Sequence, residues 1–249
     1  MTIIRSALFN LAFFLWTIGL ALLTWPALLL PRGATVAVYR FWSAGVAVLA
    51  RVIVGIRSRW IGLDQAPPGP VLYAAKHQSA WDTITMPGRL DEPAVVLKRE
   101  LLRIPIYGGF VRRWGAIAVD RKAGARALRS MVTDARAAAD AGRSILIYPQ
   151  GTRVAPGETA PYQPGVAALY VQLGLPVVPV ALDSGRCWGR RAFFKRPGTI
   201  TVELLPAIPP GLDRREFLHR LETAIEAATD RLAAAQPGDA ATSARPGSG

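Results

Sequence analysis

Near the N-terminus the chain carries one long apolar run. Residues 7–31, ALFNLAFFLWTIGLALLTWPALLLP, hold no charged side chain, and about 20 apolar residues suffice for a helix to cross the hydrocarbon of a bilayer. The run therefore predicts a retained membrane anchor. A cleaved signal peptide is the rival reading, but its apolar core would be unusually long and no clear small-x-small cleavage site follows. Trp16 and Trp25 suit the headgroup level of a bilayer. A second stretch, 36–56, VAVYRFWSAGVAVLARVIVGI, is apolar but broken by Arg40 and Arg51. It predicts a helix lying in the membrane interface or the second limb of a membrane-embedded hairpin, with an ordinary core helix as the alternative.

From about residue 57 the pattern changes to short β-rich runs alternating with helical periods. VLYAA (71–75), AVVL (94–97), AIAV (116–119), SILIY (144–148), VVPVAL (177–182) and TITVEL (200–205) are strand candidates. Residues 123–141 are rich in Ala and Arg and end at Gly142, a helix with a glycine stop. Residues 165–173 form a shorter helix candidate. Residues 213–235 begin on Asp213 as a cap and place Phe217, Leu221 and Ile225 at helical spacing. Strands alternating with helices predict an α/β class, with a largely parallel or mixed central sheet flanked by helices, behind an N-terminal membrane-anchoring helical segment. The expected division is an anchoring region at 1–56, a globular domain at 57–235, and a disordered tail at 236–249, where Gly, Pro, Ser and Ala dominate.

Composition agrees with one anchored globular domain. Apolar residues make up 51% and charged residues 19%, and the mean hydropathy is +0.24. The net charge of +13 calls for a polyanionic partner. The basic residues are mostly Arg and are spread along the chain. No helix-turn-helix, zinc-ligand spacing or RNA-binding signature accompanies them, so no nucleic-acid partner is expected. An anionic membrane surface or a phosphorylated substrate remains. Arg32, Arg40, Arg51, Arg57 and Arg59 follow the apolar run, whereas Arg5 stands nearly alone before it. The positive-inside rule then places the catalytic domain on the cytoplasmic side of the cell inner (cytoplasmic) membrane. Cys187 is the single cysteine, which excludes an internal disulfide and a multi-cysteine metal site.

The chemistry gathers at strand exits. Of the two histidines, His219 falls on the amphipathic C-terminal helix, where a surface position explains it. His77 directly follows VLYAA, in Lys76-His77-Gln78-Ser79-Ala80-Trp81-Asp82. In open α/β sheets ligands bind beyond the carboxyl ends of strands. An imidazole there can act as a base if a carboxylate fixes its tautomer and stabilises its charged form. Five residues on a regular helix turn through about 140°, so His77 and Asp82 meet only if the backbone bends between them, near Ser79. Spacing alone also permits a capping or surface histidine. A second cluster, Tyr148-Pro149-Gln150-Gly151-Thr152-Arg153, follows another strand candidate. Its glycine allows close approach, its threonine supplies a hydroxyl and its arginine a bidentate fork, a set suited to phosphate; a plain turn with an exposed Arg is the alternative. A third cluster, Gly115 to Arg121, puts another arginine at a strand end.

Taken in order, these clusters resemble the motifs of the 1-acylglycerol-3-phosphate acyltransferase (PlsC-type) family of glycerolipid acyltransferases. Its Asn-His-x-x-x-x-Asp motif matches at His77 and Asp82, with Lys76 in place of Asn, which adds a cation beside the histidine. Its second motif, an Arg after a Gly-led strand, looks like Gly115 to Arg121. Its Pro-Glu-Gly-Thr-Arg motif matches at Pro149, Gly151, Thr152 and Arg153, with Gln150 in place of Glu. Val177-Val178-Pro179-Val180 is similar to its proline within an apolar strand, and Lys98 with Glu100-Leu101 to its Lys-x-Glu-Leu stretch. The likeness covers residues 57 to 210. It implies transfer of an acyl chain from acyl-CoA or acyl-carrier protein, as co-substrate, to the second hydroxyl of lysophosphatidic acid. His77 would be the base and Asp82 its partner. Arg121, Gly151, Thr152 and Arg153 would hold the phosphate, with Gln150 and Lys98 at the substrate site. No metal and no cofactor is implied. An acyltransferase acting on another lysolipid, such as a lyso-ornithine lipid, and a non-catalytic basic membrane-surface protein are the alternative readings.

Overall fold

The computed structural model describes residues 2–235; the tail expected at 236–249 lies outside the described residues. Two helices open the chain, α1 (Thr2–Thr24) and α2 (Arg32–Leu49), joined by a 3-10 turn at Trp25–Leu29. The helix α2 runs on through a π turn at Ala50–Val54 and stops at Gly55, whose φ of 89° is the left-handed conformation that ends helices. The rest alternates: β1 (Ile56–Ile61), β2 (Leu72–Ala75), α3 (Ala80–Arg89), β3 (Ala94–Lys98), α4 (Tyr107–Trp114), β4 (Ile117–Val119), α5 (Gly124–Asp140), β5 (Ile145–Ile147), α6 (Pro164–Leu173), β6 (Val177–Leu182), β7 (Gly198–Leu204) and α7 (Arg214–Ala234). The seven strands form one sheet in the order β1-β7-β6-β2-β5-β3-β4. Each pair is parallel except β6 with β7, so the sheet is mixed and largely parallel, as expected.

The six expected strands and three expected helices are all present. Three elements were not foreseen in the pattern. β1, IRSRWI, carries arginines on an edge strand half open to solvent, so it shows no apolar run. α3 and α4 are short and contain Pro87 and a Gly108-Gly109 pair respectively, residues that weaken a helical signal. α7 follows the expectation closely. Asp213 caps it by accepting from the backbone N–H of Arg215 and Glu216, and Phe217, Leu221 and Ile225 are fully buried.

Each face of the sheet is covered. Leu72 and Ala74 of β2 point with Ile145 and Ile147 into a core closed by α5, α6 and α7. Tyr73 and Ala75 point the other way, into a core shared with α3. The opening helices belong to that second core: Phe9, Val46, Ala50 and Val54 are buried in it beside Trp81, Met86 and Trp188. Residues 36–56 are thus in part a core helix. Their outer face still exposes Phe41, Val48 and Val52.

Helix α1 is likewise two-sided. Ser6 Oγ accepts from Lys195 N at 3.0 Å, Lys195 Nζ reaches Asn10 Oδ1 at 2.7 Å, and Phe9 packs edge-on against Trp188 at 5.0 Å. The opposite side exposes Ile4, Leu8, Leu11, Leu15, Ile18 and Leu22. Both opening helices are long and apolar enough to cross a membrane, yet each has one flank committed to the catalytic domain. Three of the five arginines that follow the first helix are also engaged internally, Arg59 with Thr201 Oγ1 at 3.4 Å. Arg32 and Arg40 pair with Glu92 at 3.2 and 2.9 Å, tying α2 to the turn before β3.

The α1–α2 contact depends on one small residue. Trp16 donates to the Trp42 carbonyl at 3.1 Å, and its ring lies over Gly45, where an added Cβ would collide with Trp16 Cζ2. Gly45→Val should therefore separate the helices and cost about 1–3 kcal/mol. Thermal unfolding of the purified protein in detergent measures this, and Trp16→Leu in the same background should recover part of the loss.

Candidate active site

β2, β3, β4, β5 and β6 run in one direction, so their carboxyl ends share one edge of the sheet. His77 leaves β2 there. The ladder continues one residue beyond the strand, with Lys76 N donating to the Val180 carbonyl at 2.9 Å. The chain then turns into α3 at Ser79, which has the extended geometry of an N-cap (φ −138°, ψ 160°) and accepts from Trp81 N. This bend removes the obstacle set by helical periodicity. His77 precedes the cap, and Asp82, three residues after the cap, folds back over it as in a capping box. Asp82 Oδ2 accepts from Gln78 N at 2.8 Å and Ser79 N at 2.9 Å, and lies 2.9 Å from His77 Nδ1. Ser184, just after β6, donates its hydroxyl to Asp82 Oδ1 at 2.5 Å.

Asp82 is fully buried, whereas the His77 side chain is 13% exposed. The carboxylate is thus sealed and the ring still reaches the surface. With the Nδ1 proton directed at Asp82, Nε2 presents its lone pair outward, the tautomer a general base requires. Tyr148, closing β5, stacks on the ring with centroids 4.2 Å apart. Burial first, then the nearby Asp82, holds the Tyr148 phenol well above its ordinary range, so it stays neutral and serves as a wall.

Backbone contacts lock the loops together. Val154 N donates to the His77 carbonyl at 2.8 Å, joining the loop after β5 to the loop after β2. Gly185 N donates to Gln78 Oε1 at 3.0 Å, joining the loop after β6. Gly151 has φ 68°, and a Cβ added there would lie 3.2 Å from both terminal nitrogens of Arg121. The positive φ calls for glycine, and the guanidinium of Arg121 lies close beside it. Arg121, which follows β4, and Gly151, which follows β5, therefore meet as the motif order suggested. Thr152 beside them is exposed and Arg153 half-buried. Lys98 ends β3 on the same edge and is exposed.

One expectation is revised. Lys76 does not present a bare cation to His77. Consecutive residues of an extended chain face opposite sides, and Lys76 points into the core under α7, where it is 1% exposed and its Nζ lies 2.5 Å from Glu226 Oε2. Gln150 is also buried, at 3% exposure, rather than open to a ligand. Sequence reasoning missed Ser184 and Glu226. The first is a lone serine far along the chain. The second sits on an amphipathic helix rich in charge, and its only signal was a lysine in a buried strand that needed an acid.

Asp82→Ala should leave Gln78 N, Ser79 N and the Ser184 hydroxyl buried without their acceptor, at about 1–3 kcal/mol each. His77→Ala should change stability far less. Denaturant unfolding of the two variants tests this, and equal losses would show that the carboxylate is not the organising group.

Comparison with known proteins bears on this site. A family model described as acyltransferase matches residues 57–183. The 1-acyl-sn-glycerol-3-phosphate acyltransferase of Pseudomonas aeruginosa is 37% identical over 174 residues, which span 68% of this chain and 68% of that protein. The human protein named 1-acyl-sn-glycerol-3-phosphate acyltransferase beta is 31% identical over 142 residues, 56% of this chain and 51% of its own length. The crystal structure of the 1-acyl-sn-glycerophosphate (LPA) acyltransferase PlsC from Thermotoga maritima superposes with a TM-score of 0.76 at 20% identity, covering 96% of this chain and 100% of that one. At that identity the likeness establishes the shared fold.

Proposed function

We propose that this chain, which belongs to the acyltransferase family, is a 1-acylglycerol-3-phosphate O-acyltransferase of phospholipid synthesis. The single observation that carries the reading is the buried Asp82 carboxylate 2.9 Å from Nδ1 of a partly exposed His77, beside a loop where Arg121 closes on Gly151. The second hydroxyl of lysophosphatidic acid attacks the thioester carbonyl of acyl-CoA or acyl-carrier protein. His77 Nε2 takes the hydroxyl proton as the new C–O bond forms, Asp82 stabilises the imidazolium, and the proton passes to the departing thiolate as the C–S bond breaks. Arg121 and Arg153 supply charge and forked donors for the acceptor phosphate, with the Gly151 backbone and the Thr152 hydroxyl alongside.

The lipid substrates come from a bilayer, and the opening helices give access to one. Their outer apolar flank and their docked inner flank together favour a hairpin lying in the interface of the membrane over one that leaves the domain to span it. A cleft of about 640 Å³ lined by Leu22, Trp25, Leu28, Leu102, Ile104 and Ile106 opens at the end of α1, suited to an acyl chain. Arg103 and Arg112 stand in its walls, in reach of anionic headgroups. The arginine distribution around the first helix favours the cytoplasmic face of the inner membrane.

His77→Ala should lower kcat about 10²–10⁴-fold with little change in acceptor KM, whereas Arg153→Ala should mainly raise the KM for lysophosphatidic acid. Purified protein assayed with a panel of lysolipids and with both donors tests the assignment; transfer to a lyso-ornithine lipid but not to lysophosphatidic acid would refute it. Acyl transfer here is direct. Cys187 is buried, and desolvation, with Asp183 nearby, pushes its thiol up to about 11. Cys187→Ala should retain full kcat, and the native thiol should react slowly with disulfide reagents at neutral pH. A large loss on that substitution, with trapped acyl-enzyme, would contradict direct transfer.

A further inference from the structure

The mechanism leaves a buried ion pair next to the site unused. Lys76 and Glu226 form an ion pair on the far side of the sheet from the imidazole, with Lys76 at 1% exposure. A charge so buried persists only when it is paired and hydrogen-bonded. Glu226 is satisfied from several sides. Its Oε2 takes the Lys76 ammonium at 2.5 Å. Its Oε1 accepts the Tyr162 hydroxyl at 2.9 Å and the Gln150 side-chain amide at 3.5 Å. Burial first, then Glu226, raises the Tyr162 phenol above its ordinary range, so Tyr162 remains a donor. One carboxylate on α7 therefore grips the residue before His77, the residue before Gly151, and the segment leading into α6.

Lys76 and Gln150 are also the two places where the chain departs from the motifs it resembles, which carry Asn and Glu there. The geometry makes the two departures one. A carboxylate at 150 would stand against Glu226 with a single ammonium between them, and it would lack the amide hydrogen that Gln150 donates. We propose that Glu226 is a positioning residue of the acyl-transfer site, the motif's carboxylate relocated from position 150 to α7. It fixes the exits of β2 and β5 relative to each other, and so fixes His77 against the Gly151–Arg153 loop. This rests on the acyl-transfer reading and deepens it.

The test compares the full chain with E226Q, Q150E and the exchange Q150E/E226Q, each assayed for transfer from acyl-CoA to lysophosphatidic acid and each melted thermally. Misplacement of reacting groups by a fraction of an ångström to one ångström lowers turnover steeply, so E226Q and Q150E should each lose about 10–100-fold in kcat. Q150E keeps the Lys76–Glu226 pair, so it remains informative if E226Q does not fold. The exchange restores one carboxylate and one amide to the contact between positions 150 and 226 and should recover kcat to within about threefold of the native value, a rescue that general loss of stability would not give. Unchanged kcat in E226Q, or losses in the exchange equal to the product of the single losses, would overturn the inference while leaving the acyltransferase reading in place. A native chain without acyl transfer to any lysolipid would overturn both.

Discussion

A carboxylate withdrawn from water has to be met by hydrogen-bond donors, and those that meet Asp82 come from two parts of the chain. The imidazole of His77 and the backbone N–H groups of Gln78 and Ser79 lie in the turn from β2 to α3, and the hydroxyl of Ser184 follows β6. Oδ2 meets three of these donors, whereas Ser184 is the one donor given to Oδ1 in a site where Asp82 is 0% exposed. The same carboxylate caps a helix, joins two neighbouring strand exits and fixes the tautomer of the His77 ring. Stability and chemistry are therefore not separable at this position. The positive end of α3 adds a further favourable field for the negative charge.

Strand order then decides what surrounds the base. β2 lies between β6 and β5, and β3 and β4 continue beyond β5. Residues as distant in sequence as His77, Arg121, Gly151 and Ser184 leave the sheet along one edge because the strands that carry them are parallel. Strands stand about 4.8 Å apart, so β4 is roughly 14 Å from β2, counting three such steps. The long, preorganised side chain of Arg121 spans part of that gap and closes on Gly151. A shorter residue at 121, or a larger one at 151, would leave the two ends of the cleft unconnected.

The opening helices are joined to this arrangement. Phe9 and Val46 are buried in the core that also holds Trp81 and Met86 of α3 and its neighbouring turn, directly behind the catalytic loop. Lys195 is shared with Ser6 and Asn10, and Glu92 with Arg32 and Arg40. A helix pair held at so many points moves with the catalytic domain. That brings the exposed apolar surface of the helices and the carboxyl edge of the sheet into a fixed relation, which suits a reaction whose acceptor and product are both lipids.

Much of this was legible from local pattern. Short apolar runs with period two, helical periods ending at Gly142 and starting at Asp213, and a long uncharged stretch depend on side-chain spacing that a linear reading captures. The mixed sheet and the motif residues followed from it, and the need for a bend at Ser79 followed from helix geometry alone. Edge strand β1 escaped because its arginines are solvated, and α3 and α4 because proline and glycine blunt their periods. The face to which Lys76 turns was implicit in strand alternation, but its partner was not. Glu226 and Ser184 lie 150 and 102 positions from the residues they bind, and nothing local marks them. Residue chemistry and period thus set the elements and singled out His77 and Asp82, while the class of reaction came from the likeness of the motifs. Which distant carboxylate neutralises Lys76, which hydroxyl completes Asp82, and which flank of the apolar helices faces the domain are set by strand order and packing, because burial makes a partner obligatory without saying where in the chain it comes from.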